Sequence, residues 1–288
     1  MPKVGEVYNK ALIEAKDGKI SSADVRTIIS YDQGYPDQVS VIFHHDDEFK
    51  DPSLYEKQME RLRNDEPVEY IINEASFLGN KLYVDRRVLI PRSETEELVA
   101  SITEKIGDYF DPRNYLVVAD IGTGSGAISI ALKQAFPHWL ITASDISKDA
   151  LEVAKINIHN SALQIRTAEG DALEPFIGKA NLDIIISNPP YITEDEYVQD
   201  SVREYEPSSA LFFKKEHNVY RSIFENVYKV NKGPLFMAFE ISPDLESYLT
   251  STMKELLHDF TYEFVKDLNG FTRFLFVYLE EDKPHAEA

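Results

Sequence analysis

Val118-Ala119-Asp120-Ile121-Gly122-Thr123-Gly124-Ser125-Gly126-Ala127 joins an apolar stretch that begins at Leu116 to a segment of helical spacing that ends near Phe136. The residues before Gly122 read as a buried strand, and the three alternating glycines as a tight turn onto a helix N-terminus. Glycines there let the backbone approach a ligand closely, and the unpaired N–H groups of a helix start are ready donors. Taken alone, the pattern is ambiguous. Gly122-x-Gly124-x-x-Ala127 also satisfies the dinucleotide fingerprint, with Asp145 at a spacing suited to a ribose contact. No Lys follows the glycines, which excludes the Walker pattern.

Outward from this turn, strands and helices alternate. Strands are expected over 116–120, 140–144, 165–168, 182–187 and 235–241, and helices over 127–136, 148–160 and 244–258. Ser93 and Glu96 have the spacing of a capping box that would start a further helix at Glu94. Such alternation implies a parallel, doubly wound sheet. Two final strands, 262–266 and 272–279, are joined by the turn Asp267-Leu268-Asn269-Gly270. They must be antiparallel neighbours, because so short a turn cannot make a parallel crossover. The expectation is an α/β fold with a mostly parallel, doubly wound, seven-stranded sheet.

Residues 1–73 read as helical. Val4, Val7, Ala11 and Leu12 share one stripe, Val25, Ile28 and Ile29 follow the cap candidates Ser21 and Ser22, and Leu54, Met59 and Leu62 precede Pro67. Five helices or fewer fit this zone, and nothing in it looks catalytic. Between 76 and 90 the period changes to two. Leu82, Val84, Val88 and Ile90 alternate, with Gly79-Asn80 and Asp85-Arg86-Arg87 at the bends, which predicts a short hairpin. The chain thus divides into a small N-terminal helical domain (1–73), a linking β-hairpin (74–90) and an α/β domain (91–288), with a frayed polar tail expected from Glu280.

Of the 288 residues 43% are hydrophobic and 28% charged, ordinary values for a soluble globular protein. The net charge of −20 argues against a duplex DNA binder and against adsorption to an anionic membrane. Cysteine is absent, which excludes a disulfide scaffold, thiol catalysis and cysteine-ligated metals. Met1-Pro2-Lys3-Val4-Gly5-Glu6 lacks the apolar stretch of a signal peptide, so a cytoplasmic location is expected. His44-His45-Asp46-Asp47 has the composition of a metal cluster, but adjacent side chains rarely converge on one ion, and no metal is expected.

Three further features carry chemistry. Asp145, at the end of the second strand, can accept hydrogen bonds from both hydroxyls of a ribose, or cap the helix that follows. Asp171, in Gly170-Asp171-Ala172-Leu173 after the third strand, suits an adenine amino group, or a turn. The decisive stretch is Ser187-Asn188-Pro189-Pro190-Tyr191 after the apolar strand that ends at Ile186. Two prolines leave rigid carbonyls that only accept, Asn188 adds a side-chain oxygen, and Tyr191 offers a flat face. Together they suit a planar –NH2 group oriented by its two protons and stacked from one side.

Asp120-x-Gly122-x-Gly124-x-Gly126 with Asn188-Pro189-Pro190-Tyr191 resembles the class I S-adenosylmethionine-dependent N-methyltransferases of the amino type. These motifs alone also fit adenine-N6 DNA methyltransferases. Over residues 67–279 the chain is similar to the peptide chain release factor glutamine methyltransferases. The likeness rests on Pro67-Val68-Glu69-Tyr70-Ile71, Phe77-Leu78-Gly79, Val88-Leu89-Ile90-Pro91-Arg92-Ser93-Glu94-Thr95-Glu96, Glu206-Pro207-x-x-Ala210-Leu211, Glu240-Ile241 and Asp267-Leu268-x-Gly270-x-x-Arg273-Phe274. Departures are Ser93 where the family usually has Pro, Asn73 and Ser242 where it has Gly, and 212–219 in place of a Gly-rich stretch.

The resemblance implies a Rossmann-like methyltransferase domain that binds S-adenosylmethionine through Gly122, Thr123, Gly124, Ser125, Gly126, Asp145, Asp171, Ala172 and Asn188. It implies a substrate glutamine held by Asn188, Pro189, Pro190 and Tyr191, with Leu89 near the donor methyl. Of these, Asn188, Pro189 and Tyr191 are the expected catalytic residues. The expected partner is a class 1 release factor, recognised by the N-terminal domain of a monomeric enzyme, with no direct nucleic acid and no membrane. The alternatives are a ribosomal-protein glutamine methyltransferase, an adenine-N6 nucleic-acid methyltransferase and an inactive donor-binding module. An amide nitrogen is a poor nucleophile that no side chain deprotonates at neutral pH, so the site is expected to work by positioning and without a general base.

Overall fold

The computed structural model of the chain describes every residue except Lys19, Glu194, Asp195, Glu216, His217, Lys232 and 280–288. The C-terminal tail and part of the 212–219 loop named above lie outside the described residues. The N-terminal helices are α1 (Val4–Lys16), α2 (Ser22–Gln33), α3 (Ser40–Phe43), α4 (Pro52–Arg63) and α5 (Val68–Ile72). They are followed by β1 (Ala75–Phe77), β2 (Asn80–Leu82), α6 (Ser93–Lys105), β3 (Val117–Ile121), α7 (Ala127–Ala135), β4 (Leu140–Asp145), α8 (Lys148–Ser161), β5 (Arg166–Glu169) and β6 (Ile184–Ser187). The remaining chain forms α9 (Asp200–Tyr205), α10 (Ser208–Leu211), α11 (Val219–Asn226), β7 (Leu235–Glu240), α12 (Glu246–Leu256), β8 (Phe260–Lys266) and β9 (Thr272–Leu279). None of the described helices is long and apolar enough to cross a membrane.

These elements form two compact units, Met1–Glu74 with Val198–Tyr205, and Ala75–Tyr197 with the chain from Glu206 onward. In the first, the apolar stripes of α1, α2 and α4 close one core around Val4, Val25, Ile28, Ile29 and Met59. Ser21 caps α2 by accepting from Ala23 N at 3.1 Å, and Asp51 caps α4 just before Pro52. The Arg61 guanidinium pairs in bidentate fashion with buried Glu66 (2.7 and 2.8 Å) and also donates to the Tyr70 carbonyl at 3.0 Å. Asn73 ends α5 in the left-handed region (φ 55°), a conformation that Asn tolerates. Tyr205 of α9 donates to the Asn64 carbonyl at 2.6 Å, which ties the returning segment to this unit.

In the second unit the seven-stranded sheet has the order β5-β4-β3-β6-β7-β9-β8. Strands β3 to β7 run parallel and β9 runs antiparallel between β7 and β8, as the short 267–270 turn required. The strand period divides the core. Ile184, Ile186, Phe236 and Ala238 face the layer of α6, α7 and α8, whereas Ile185, Met237 and Phe239 face α11 and α12. Trp139, fully buried, stacks on Phe136 with ring centroids 3.9 Å apart.

Two local expectations differ from the structure. The hairpin lies earlier than the alternation suggests, with Phe77 paired to Asn80 across Leu78-Gly79, whose φ values of 45° and 78° are both positive. Leu82, Val84, Val88 and Ile90 are buried as expected, yet 83–90 is not a strand. The Asn157 side chain takes both backbone groups of Tyr83, accepting from N at 2.7 Å and donating to O at 2.9 Å, so no ladder continues. The capping box is also absent. Arg92 occupies the N-cap position of α6, and Ser93 is already helical. Glu96 instead accepts from Leu78 N at 2.6 Å and anchors the hairpin turn.

Candidate active site

The chain reverses its winding direction between β3 and β6, and at such a switch point the carboxyl ends of a parallel sheet leave a crevice. Ile121 is in register with Ser187, so Gly122 and Asn188 emerge side by side. An open cleft lies here within the second unit. Its floor is the glycine loop Gly122, Thr123, Gly124 and Ser125; Asp145, Asp171 and Ala172 come from the ends of β4 and β5. Leu89, Asn188, Pro189 and Pro190 also line it. Gly126 and Tyr191 do not.

Gly126 sits at φ 84° before α7, the left-handed region that favours glycine, and an added Cβ would meet Ala154 of α8 only in ordinary contact at 3.5 Å. Gly122 (φ 69°) and Gly124 (φ 54°) differ. Beyond the adjoining residues of the chain no atom lies within 4 Å of where their Cβ would stand, so it would face open space. Thr123 N donates to the Ser144 carbonyl at 2.9 Å and Gly124 N to Asp145 Oδ2 at 3.0 Å, which holds the loop against β4. The other Asp145 oxygen accepts from Ser147 N at 2.8 Å. Ile146 N also stabilises the charged carboxylate, and of its roughly four lone-pair sites some capacity remains for a further donor. Burial raises the Asp145 carboxyl above its usual range, opposed by these backbone hydrogen bonds.

Asp120 lies fully buried beneath the loop. Its Oδ2 accepts from Thr123 Oγ1 (2.6 Å) and Ser129 Oγ (2.7 Å), while Oδ1 has no hydrogen-bond partner among the described residues. Desolvation pushes this carboxyl up to about 6.

On the opposite wall, Asn188 Nδ2 donates to Thr95 Oγ1 at 2.9 Å, and Thr95 Oγ1 donates to Glu240 Oε2 at 2.7 Å. Tyr191, packed against the core on the α11 side, donates its hydroxyl to Glu240 Oε1 at 2.9 Å. Tyr220 donates to the Glu240 carbonyl at 2.7 Å. Burial, aided by the Glu240 charge, pushes the Tyr191 phenol far above its ordinary value, so it stays a donor. Thr95 and Glu240 carry no role in the sequence reading. Their signal was a hydroxyl inside the Arg92–Glu96 motif and a carboxylate closing an apolar strand.

The segment bearing Leu89 is held by a second buried carboxylate. Glu206 pairs with Arg92 and accepts from Ile90 N at 3.3 Å, which sets Leu89 and Pro91 at the cleft beside Pro207 and Ala210. Among the described residues no group of three or more His, Asp or Glu side chains is placed to hold a metal ion.

Residues 103–209 match the family model described as a methyltransferase small domain. The chain is 36% identical over 234 residues to the release factor glutamine methyltransferase of Bacillus subtilis, covering 80% of this chain and 81% of that one. It is 35% identical over 243 residues to that of Enterococcus faecalis, covering 81% and 84%. In fold it is similar to a methyltransferase from Pyrococcus furiosus, with a TM-score of 0.51, 15% identity, and coverage of 78% of this chain and 98% of that one. Relatives alike over four-fifths of both chains share more than a domain, and with its parallel sheet and switch-point cleft this chain belongs to the family of release factor glutamine methyltransferases.

Proposed function

We propose that the protein transfers a methyl group from S-adenosylmethionine to the side-chain N5 of the glutamine in the Gly-Gly-Gln motif of class 1 peptide chain release factors, in the cytoplasm. The observation that carries this reading is the commitment of Asn188 Nδ2 to Thr95 on the wall of the same cleft as the glycine loop, which leaves Oδ1 to accept from an –NH2 group. The residues fit the donor. The open space over Gly122 and Gly124 suits close backbone approach, the spare capacity of Asp145 suits a ribose, and Asp171 with Ala172 suits an adenine edge. When bound, S-adenosylmethionine supplies an electrophilic methyl on a sulfonium.

Everything else falls to the chain. The Asn188 side-chain oxygen and the Pro189 carbonyl accept the two amide protons and orient the nitrogen, and both bonds strengthen as positive charge develops there. Leu89 is assigned the apolar wall near the methyl. Tyr191, packed on the core and outside the cleft lining, is assigned the anchoring of Glu240 in place of the stacking face expected from the sequence. No base is required, since the methylated amide is acidic enough to lose its proton late. The N-terminal unit is assigned recognition of the folded release factor.

The test is single-turnover incubation with labelled donor and purified release factor, followed by peptide mass spectrometry. One methyl group on the Gly-Gly-Gln glutamine is expected. An unlabelled release factor, or a label on another residue, would overturn the assignment.

A further inference from the structure

The two ends of the Asn188 amide are alike in shape and opposite in chemistry, since Oδ1 accepts and Nδ2 donates. Which end faces the cleft decides whether an –NH2 group can be held there. The choice is made by Thr95 on the cleft wall and by Glu240 behind it. Glu240, fully buried at the end of β7, takes the Tyr191 proton on Oε1 and the Thr95 proton on Oε2. A carboxylate can only accept, and a threonine has one proton to give. With that proton committed, Thr95 Oγ1 can only accept from Asn188, and Nδ2 is the end that supplies the bond at 2.9 Å. Thr95, on the first turn of α6, is itself 4% exposed, so water is poorly placed to substitute for either partner.

We propose that Thr95 and Glu240 are positioning residues that lock the Asn188 amide with Oδ1 toward the cleft, which selects an –NH2 nucleophile. This rests on the reading that Asn188 accepts a proton of the substrate amide. In Glu240→Gln the new amide can donate to Thr95 Oγ1, which frees the Thr95 proton for Asn188 Oδ1. The Asn188 amide then turns its own N–H groups toward the substrate nitrogen, a donor against a donor. Thr95→Val removes both halves of the relay at nearly constant shape.

The experiment measures kcat, KM for release factor and donor affinity in the full chain, for the wild type and for Thr95→Val, Thr95→Ser, Glu240→Gln, Asn188→Ala and the Thr95→Val/Asn188→Ala pair. Thr95→Val and Glu240→Gln should lower kcat roughly tenfold to hundredfold, the scale of a misplaced reacting group. Donor affinity should stay near wild type, and the loss should fall more on kcat than on KM, because the bond from the substrate amide to Asn188 strengthens as charge develops. Thr95→Ser, which keeps the hydroxyl, should recover most of the loss. Adding Thr95→Val to Asn188→Ala should cost nothing further, since Thr95 acts only through Asn188. Should Glu240→Gln fail to fold, the Thr95 variants carry the same test. Wild-type kcat in Thr95→Val, or a multiplied loss in the pair, overturns the lock. A wild-type enzyme inactive on release factor, or an Asn188→Ala variant with full kcat, instead overturns the reading of the reaction on which it rests.

Discussion

Gly124 N donates to Asp145 Oδ2 across 3.0 Å, so the glycine loop after β3 is held by the carboxylate that ends β4. The residue proposed to take the donor's ribose therefore also shapes the floor on which the donor lies. Loss of that carboxylate removes a contact and loosens a loop together.

Asp145→Ala should weaken donor binding by roughly 1.5–3 kcal/mol, the scale of charge-assisted hydrogen bonds, as read by calorimetry with S-adenosylmethionine or its demethylated product. Asp145→Asn, which keeps one acceptor, should lose less. Unchanged affinity in Asp145→Ala would reduce Asp145 to a loop tie, and tight NADH binding without donor binding would reassign the cleft.

Asn188→Ala should lower kcat on the order of 10²–10³ while the donor stays bound, because a preorganised group is removed whose bond strengthens in the transition state. Asn188→Asp should keep partial activity. Its charge favours the sulfonium and the developing cation, but it has no N–H for Thr95 Oγ1. Near wild-type kcat in Asn188→Ala rejects the orientation mechanism.

Asp120 predicts a pH dependence of stability. Its folded carboxyl is raised to about 6 from 3.8, with desolvation the largest cause. Between these values the unfolded chain has released the proton while the folded protein keeps it. The unfolded state then binds fewer protons, so this group's contribution to stability falls as pH rises from about 4 to about 6 and is constant above. The shift corresponds to about 3 kcal/mol at most. Urea melts from pH 4 to 7 should show wild type losing stability relative to Asp120→Asn over that window. A pH-independent difference between the two would show that Asp120 does not titrate there.

Val39, Ile42 and Phe43 in and beside α3 of the N-terminal unit are each more than half exposed, an unusual density of apolar side chains on a chain of net charge −20. If this unit recognises the release factor, Ile42→Ser and Phe43→Ser should raise KM for the whole protein several-fold. Melting temperature and donor affinity should be unaffected, because neither side chain is buried. Unchanged KM would remove the patch from recognition.

The α/β architecture was legible because its signals are short-ranged. Apolar strands such as 182–187 and the glycine turn at 122–126 declare themselves within a few residues, and strand boundaries fell within two residues of expectation. The failures were competitions settled at long range. Ser93 and Glu96 have the spacing of a capping box, yet Glu96 is claimed by Leu78 N of the hairpin turn. The alternation over 82–90 is genuine as a burial pattern, but Asn157 takes the backbone groups of Tyr83 that a strand needs.

By itself the sequence determined the strands of the large sheet, the helices α7, α8 and α12 beside it and which residue types gather at the carboxyl ends of β3 to β6, since period, turn chemistry and chain order suffice for that, but not α9, α10 and α11. Only the tertiary structure decided which polar atom meets which. Thr95 and Glu240 are 145 residues apart in the chain, and their contact depends on how α6 packs on the sheet and on the register of β7 beside β6. A side chain's donors and acceptors are fixed by its identity. Its partner is fixed by packing, because an ångström of displacement is enough to break a hydrogen bond and leaves an apolar contact almost unchanged.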